Sequence, residues 1–260
     1  MGLFEALVVG LVGGLADFLP VGGTGHRVLI GQALFGTAYD RGFAGACELS
    51  SALAALVALR REVGSLALGV VRREAEGRRI GMMLLIAATT ATLVSLPFRD
   101  AYLGVSDNLL AVVGVLLLVS GLLLYVAEEL GRRTRSLASL STPGALLVGL
   151  LQVLAVLPGI SRTGVAISGG MLVGFTRESS TRFALLLSIP LLAVTGLWDL
   201  SAGQSSAGAW AVAFGAMASF VGGFLAIGFL RWYVREFSLM VFAYYLWVIG
   251  IAAVAYDTLS

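Results

Sequence analysis

The chain has 260 residues, of which 58% are hydrophobic and only 12% charged, and its formal net charge is +2. Soluble domains carry about 25% charged residues, so this composition excludes an ordinary soluble protein and predicts an integral membrane protein. The single cysteine, Cys47, excludes a disulfide within the chain.

Two short apolar runs open the chain, at 3–19 and 26–35, and a turn rich in Pro and Gly joins them. A membrane span needs about 20 residues, so neither run can cross alone and the pair predicts a re-entrant hairpin. Three full spans are then expected at 42–59, 80–97 and 109–127. They are separated by a basic linker, 60–79, and by a short loop from Phe98 to Asn108.

The second half of the chain follows the same order. A second apolar hairpin is expected at 143–175, with its break at Pro158-Gly159. Three further spans are expected at 182–200, 209–230 and 238–256. The sequence therefore predicts an all-α polytopic membrane protein with six transmembrane helices and two re-entrant helical hairpins.

These elements form one membrane domain, 1–260, in which a hairpin plus three spans occurs twice, at 1–127 and 143–257. Because three spans is an odd number, the second copy is inverted relative to the first. Inverted repeats with broken helices are a transporter-like design that places the binding site where the repeats meet.

The arginines predict the orientation, since cytoplasmic loops carry an excess of basic residues. All 17 basic residues other than the single His are Arg, and six of them lie in the 60–79 linker. The other basic loops carry Arg132, Arg133 and Arg135, Arg177 and Arg182, and Arg231 and Arg235. If both hairpins are re-entrant, these loops share one side. We therefore expect a multi-pass protein of the cell membrane with cytoplasmic basic loops and both termini outside.

Each hairpin is broken by a loop that brings polar residues into an apolar stretch. The first reads LPVGGTGHR from Leu19 to Arg27, and the second reads LPGISRTG from Leu157 to Gly164. An intramembrane charge is costly and marks a functional site by default. Gly lets main-chain N–H groups approach a ligand, a helix start attracts anions, and the Arg fork suits phosphate. We expect the two loops to meet and to bind the phosphate or diphosphate of a lipid.

The candidate residues fall into two groups. Those expected to contact phosphate are Thr24, Gly25, Arg27, Gly159, Thr163 and Gly164, and those expected to act in catalysis are His26, Arg162, Asp17 and Ser161. The only His, His26, could be a general acid or base, a phosphoryl acceptor or a simple polar contact. The alternative for the second loop is a helix-capping turn whose Arg162 pairs with Asp17 or Glu48.

Two acids near these loops suggest a metal. Asp17 ends the first apolar run and Glu48 lies inside the first full span. Because Mg²⁺ is commonly held by one or two carboxylates plus phosphate oxygens, we expect a divalent cation, Mg²⁺ or Ca²⁺, on Asp17 and Glu48. The alternative for Asp17 is an ion pair with Arg162 or Arg27.

The two loops resemble the signatures of the bacterial undecaprenyl-diphosphate phosphatases. Leu157 to Gly164, running on to Met171, is similar to their second motif, and Asp17 to His26 is similar to their first. The resemblance implies the inverted-repeat fold and removal of one phosphate from the C55 lipid diphosphate at the outer membrane face, which recycles the carrier for cell-wall synthesis. It also implies a divalent cation, an acidic pair, Ser and His in the first loop, and Arg in the second.

The first motif departs from the family pattern. The family has Glu-x-x-x-Glu before Phe-Leu-Pro and Ser-Ser before Thr-Gly-His, whereas this chain has Gly13, Asp17 and Gly22-Gly23 at the corresponding positions. In the first span, Ala44 and Glu48 stand where the family has an acid and a Gln. Our hypothesis is that Glu48 supplies the carboxylate lost at Gly13, in which case Glu48→Gln abolishes turnover that depends on a divalent cation.

Two functions follow as alternatives. The first is a polyprenyl diphosphate phosphatase, with water, His26 or Ser161 as the nucleophile; the second is a binding protein or flippase for the same lipid that does not hydrolyse it. The expected partners are a polyprenyl diphosphate or phosphate lipid and the bilayer, with no nucleic acid, and a homodimer is left open.

Overall fold

The computed structural model describes residues 1–37, 40–106, 110–203 and 205–259, with side chains left out of the description at 99–106. This part of the chain is mostly helical and contains no β-strand, which confirms the all-α class, while the number of spans and the re-entrant hairpins stay predictions. The α-helices are α1 Leu3–Phe18, α2 Gly23–Phe35, α3 Arg41–Ala58, α4 Arg60–Val71, α5 Ala75–Ser106, α6 Leu110–Leu130, α7 Thr142–Leu151, α8 Arg162–Leu172, α9 Arg177–Ala202, α10 Ala209–Glu236 and α11 Met240–Leu259.

Within the described residues, five helices are long and apolar enough to span a membrane, namely α5, α6, α9, α10 and α11. The consecutive helices α3 and α4 meet the same test only together, and they are bent by 75°, so the number of spans is six if that pair counts as one. Large apolar side chains such as Trp210 and Leu225 are exposed on outward faces of α10, as expected of a surface that contacts lipid.

Two loop predictions are corrected by the structure. The basic linker, 60–79, is helical over most of its length, because α4 begins at Arg60 and α5 at Ala75. The prediction that the second span ends at Pro97 is wrong, since α5 continues through Pro97 to Ser106. A proline removes one helical hydrogen bond but does not oblige the helix to stop, and membrane helices tolerate it. Residues 107 and 108 of the predicted loop, and residue 109 of the predicted third span, lie outside the described residues.

Each hairpin begins and ends at one end of the bundle, the first at the Asp40 end and the second at the Glu128 end. In the first, α1 and α2 run antiparallel, and the Thr37 hydroxyl closes the open end by donating to Glu5 at 2.6 Å. In the second, the segment that leads to α7 and the segment that follows α8 lie together, because Thr134 and Arg135 both donate to the carbonyl of Gly174. A left-handed Gly makes each sharp reversal, with φ of 90° at Gly22 and 114° at Gly159.

The centre of the bundle is built on close approaches of small residues. A Cβ on Gly45 of α3 would lie 2.8 Å from the carbonyl oxygen of Gly196 in α9, and one on Gly114 of α6 would lie 2.7 Å from that of Gly250 in α11. The first hairpin is held in the same way, since a Cβ on Gly10 would lie 2.2 Å from the carbonyl oxygen of Gly215 in α10. Small residues let membrane helices pack backbone to backbone, which gives these glycines their role in the bundle.

Charged side chains lie at both ends of the bundle. At one end, Asp40 accepts hydrogen bonds from Ser205 and Ser206, next to the start of α1. The opposite end holds the ion pairs of Glu128 with Arg133 and Arg177 and of Glu62 with Arg182 and Arg231. The basic segments that are distant in sequence therefore share one end of the molecule.

Candidate functional site

The two hairpin loops contact each other. The Thr163 hydroxyl, in the first turn of α8, donates to the main-chain carbonyl of Asp17 at 2.6 Å. A Cβ on Gly25 would lie only 2.7 Å from the Cα of Gly159, so the two backbones touch where α2 begins. The sequence expectation that the loops meet is confirmed, and Gly25 and Gly159 serve as the contact surface.

The second loop is organised as a helix cap. The Ser161 side chain accepts a hydrogen bond from the Gly164 N–H at 3.0 Å, which makes Ser161 the N-cap of α8. Its own N–H donates to the Ser120 hydroxyl at 3.0 Å, and the residue is fully buried. The capping turn named as the alternative is therefore present, and it leaves main-chain N–H groups of α8 directed toward the loop.

Arg162 lies at the first position of α8 and points toward α3 and α9. Its side chain is 15% exposed, and its Nη2 lies 3.7 Å from an oxygen of the buried Glu48, which also accepts from the Thr195 hydroxyl. Arg162 and Thr195 line a cavity of about 20 Å³, large enough for about one water. The Gln152 side chain donates a hydrogen bond to the Arg162 carbonyl at 2.9 Å.

His26 lies in the second turn of α2 with both ring nitrogens engaged. Nδ1 is 2.9 Å from the carbonyl of Gly22 and Nε2 is 2.8 Å from the hydroxyl of Tyr245 in α11. A carbonyl can only accept, so Nδ1 carries the proton and a neutral ring accepts at Nε2 from Tyr245. Beside the ring is an apolar cavity of about 340 Å³, whose lining includes Leu15, Leu19 and Phe242.

Asp17 and Arg27 form a buried ion pair inside the first hairpin. Arg27 Nη1 and Nη2 donate to the two oxygens of Asp17 at 3.1 and 2.6 Å, and the side chains are 1% and 5% exposed. Asp17 also accepts from the Ser51 hydroxyl at 2.8 Å, and Ser51 lies 3.0 Å from Ser219. The ion pair named as the alternative for Asp17 is therefore formed, with Arg27 as the partner.

The glycines at the family's Glu and Ser positions make room for this ion pair. A Cβ on Gly13 would lie 2.3 Å from Arg27 Nε, and one on Gly23 would lie 2.1 Å from a carboxylate oxygen of Asp17. A side chain at either position would displace the pair. Gly22 has a left-handed backbone that a serine rarely adopts. The departures from the family motif thus belong to one altered arrangement.

The residues present do not fit the expected divalent cation. Each of its two predicted ligands, Asp17 and Glu48, faces an arginine, and the described part of the chain contains no cluster of three His, Cys, Asp or Glu side chains that could hold a metal. Hard cations need several oxygen ligands around them. The divalent cation therefore stays a prediction from the two acids and from the resemblance.

The structure places three of the predicted residues in three separate cavities. Arg162 lines one with Thr195, His26 lines another with Tyr245, and Arg27 lines a third, of about 20 Å³. Thr24 lies in the first turn of α2 beside Gly25, and Gly164 lies in the first turn of α8. That His26 and Arg162 contact one headgroup stays a prediction, since the loops meet but these two side chains line separate spaces.

Several partners of the site were missed by the sequence reasoning. They are polar side chains of the long helices, namely Tyr245, Thr195, Ser51, Ser219 and Ser120. A polar residue within an apolar span is itself a signal, because it needs a hydrogen-bond partner in lipid. What the sequence lacks is the identity of that partner, which depends on how the helices pack.

Comparison with known proteins gives a consistent picture. The profile of the family described as "Bacitracin resistance protein BacA" matches residues 6–252. A protein of Rubrobacter xylanophilus named "Undecaprenyl-diphosphatase" is 35% identical over 257 residues, covering 94% of each chain. Proteins with the same name from Thermobifida fusca and Anaeromyxobacter dehalogenans are 32% and 34% identical, and each alignment covers 98% of this chain and 90% and 91% of the relative.

Proposed function

The chain belongs to the bacitracin resistance protein BacA family, and we propose that it is an integral membrane phosphatase that hydrolyses undecaprenyl diphosphate to the monophosphate. The relatives are named for that activity, and the alignments with this chain cover at least 90% of their length. The observation that carries the proposal is the second loop, where Arg162 and the N-terminus of α8 meet the first loop inside an apolar bundle. This combination of guanidinium and main-chain N–H groups suits a diphosphate.

The lipid part of the substrate is supported by the cavity beside His26. Its walls are formed by α1, α2 and α11, and among its lining residues only His26 and Tyr245 carry polar side-chain atoms. Such a wall suits an isoprenoid chain, and the two polar groups lie where a headgroup and a chain would join. We expect the rest of the isoprenoid chain, beyond the segment in this cavity, to lie in the bilayer.

Hydrolysis requires one bond to form and one to break. A water attacks the terminal phosphorus, and the bond from that phosphorus to the bridging oxygen breaks. The products are inorganic phosphate and the lipid monophosphate, which is the leaving group and keeps the bridging oxygen. His26 Nε2 accepts the proton of the water, for which it must exchange its hydrogen bond with Tyr245. Arg162 stabilises the charge that spreads over the phosphoryl oxygens. We assign the nucleophile to water because the Ser161 hydroxyl is buried and caps α8.

We also propose that the basic end of the bundle is cytoplasmic and that both termini lie outside, so that both hairpins are re-entrant. Two observations support the inverted repeat. The helices α3 and α9 cross antiparallel, with Arg41 paired to Asp199 at one end and Glu62 to Arg182 at the other. In addition, Gly114 and Gly250 contact each other and are separated by nearly the same interval as Pro20 and Pro158. If two repeats are related by a two-fold axis, corresponding residues of the two repeats can contact each other only close to that axis.

The proposed activity is tested with the purified protein in detergent, by measuring phosphate released from farnesyl or undecaprenyl diphosphate. We expect release by the wild type and a loss of about 100-fold in Arg162→Ala, as for removal of one charge-stabilising donor. The control is Arg61→Ala, an exposed arginine at the start of α4. Saturable binding of the lipid without any release would instead support the flippase alternative.

A further inference from the structure

The buried guanidinium of Arg27 occupies the position that a carboxylate side chain at residue 13 would need. Arg27 is 1% exposed and lies against α1 at Gly13, where a Cβ would be 2.3, 2.8 and 2.9 Å from Nε, Cζ and Nη2. These contacts involve most of the guanidinium, so any side chain at position 13 would have to displace it. Arg27 at this place and an acid at position 13 are therefore mutually exclusive.

Asp17 is turned toward the same group. Both of its oxygens accept from Arg27, and Gly23 leaves the space that the carboxylate fills, since a Cβ there would lie 2.1 Å from Asp17 Oδ1. The paired geometry with two parallel N–H donors is the strong form of an arginine–carboxylate contact. A carboxylate held in this way has its charge neutralised and its lone pairs used by the protein itself.

The charges of the two loops already balance. Asp17 with Arg27 and Glu48 with Arg162 form two pairs of opposite sign, and the four side chains are between 0% and 15% exposed. Both acids also attract Arg27 electrostatically. In the absence of substrate, a dication added to this set would bring two uncompensated positive charges into a buried region, which is strongly unfavourable.

We infer that Arg27 takes the place of the divalent cation in this chain, as a positioning residue that neutralises and orients Asp17. The site then binds its diphosphate substrate with arginine alone, and turnover needs no added metal. The statement about turnover rests on the proposed function, whereas the statement about the metal does not.

The metal is tested directly by titrating the purified protein with Mn²⁺ and following the free ion by electron paramagnetic resonance. We expect identical titrations for the wild type, Asp17→Asn and the control Glu5→Gln, another acid of α1. A tight Mn²⁺ site in the wild type that Asp17→Asn removes would overturn the inference.

The reverse substitution gives a second arm. Gly13→Glu combined with Arg27→Met replaces the guanidinium by a carboxylate, and we expect this variant to gain a Mn²⁺ site that Asp17→Asn in the same background removes. A folded double variant that gains no site would also count against the inference. If the double variant does not fold, the comparison of the wild type with Asp17→Asn still decides.

The third arm uses activity. Excess chelator should leave phosphate release by the wild type within about twofold, and a tenfold or greater loss that Mg²⁺ restores would contradict the inference. If no condition yields phosphate, the proposed function fails, while the Mn²⁺ titrations still decide whether Arg27 replaces the metal.

Discussion

The Thr163 hydroxyl donates to the main-chain carbonyl of Asp17 across 2.6 Å, and this bond joins two loops that are more than half the chain apart in sequence. It connects the first turn of α8 to the last turn of α1, so the placement of Arg162 depends on the first hairpin. Asp17 in the first hairpin and Arg162 in the second are therefore held in position by the same contact.

The contact between the loops is tested by Gly25→Ala. Its Cβ would lie 2.7 Å from Gly159 Cα and 2.9 Å from Gly159 N, which are backbone atoms that cannot rotate away. We expect a loss of about 1–3 kcal/mol in stability from overpacking and a clear loss of phosphate release. Thermal unfolding of the purified protein measures the first. The control is Gly228→Ala, where no atom lies within 4 Å of the added methyl group, and equal effects of the two substitutions would refute the contact.

The hydrogen bond from Tyr245 to His26 is tested by Tyr245→Phe. The change removes the donor to Nε2, which positions the ring. We therefore expect kcat/KM to fall by about 3- to 10-fold, in line with one hydrogen bond of about 0.5–1.5 kcal/mol. The neighbouring Tyr244→Phe is a matched control, because its ring is half exposed and contacts Trp247 at a tilted angle, with ring centroids 5.7 Å apart. If both variants behave as the wild type, Tyr245 does not position His26.

Glu128 joins three segments at the basic end of the bundle. Its carboxylate accepts from Arg133, Arg177 and Ser238, which belong to three separate segments. Replacing it with Gln leaves the two arginines without their anion, and we expect about 1–3 kcal/mol of destabilisation. Glu129→Gln is the control, since the next residue is exposed. Unfolding midpoints that shift equally in both variants would contradict this role.

Asp40 ties the loop before α3 to the loop before α10. Burial alone would raise the pKa of Asp40, but the hydrogen bonds from the Phe43 N–H, Ser206 and Ser205 outweigh it and hold the pKa below 3.8. Because the folded pKa is depressed, the charge stabilises the fold above the unfolded value and this contribution is lost as the pH falls through the folded pKa.

We expect Asp40→Ala, which removes the N-cap of α3, to cost about 0.5–2 kcal/mol at neutral pH. The difference in unfolding free energy between the wild type and this variant should shrink as the pH approaches 3. A difference that stays constant between pH 7 and pH 3 would show that the charge of Asp40 contributes nothing.

The helices and the two breaks were predictable from sequence because apolar runs and Pro-Gly turns are local signals. The signal failed at Pro97, where the helix continues, and in the 60–79 segment, where basic residues lie on helices rather than in an irregular linker. At Pro97 a residue type that often ends a span is present inside a continuing helix, whereas Arg60 and Arg72 do lie at helix boundaries and the residues between them are helical. Packing in the bundle, rather than propensity, decides such boundaries.

The sequence was enough to predict which charged residues belong to the candidate site, but not which of them form ion pairs with each other. Asp17, Arg27, Glu48 and Arg162 were all recognised as unusual charges in apolar surroundings, but sequence offered several ways to pair them. The choice of Arg27 for Asp17 depends on the space at Gly13, which exists only once α1 and α2 are folded against each other. Tyr245 could not be assigned to His26 because α11 carries no local motif that points to the first loop.

The central claim, that both loops form one diphosphate site, is tested most directly by a double-mutant cycle on binding. The ligand is a farnesyl diphosphate analogue whose bridging oxygen is a methylene group, and its dissociation constant is measured for the wild type, His26→Ala, Arg162→Ala and the double variant. We predict a coupling of about 1 kcal/mol or more, with the double variant losing less affinity than the two single losses combined. Losses that simply multiply would show that His26 and Arg162 do not act on the same headgroup.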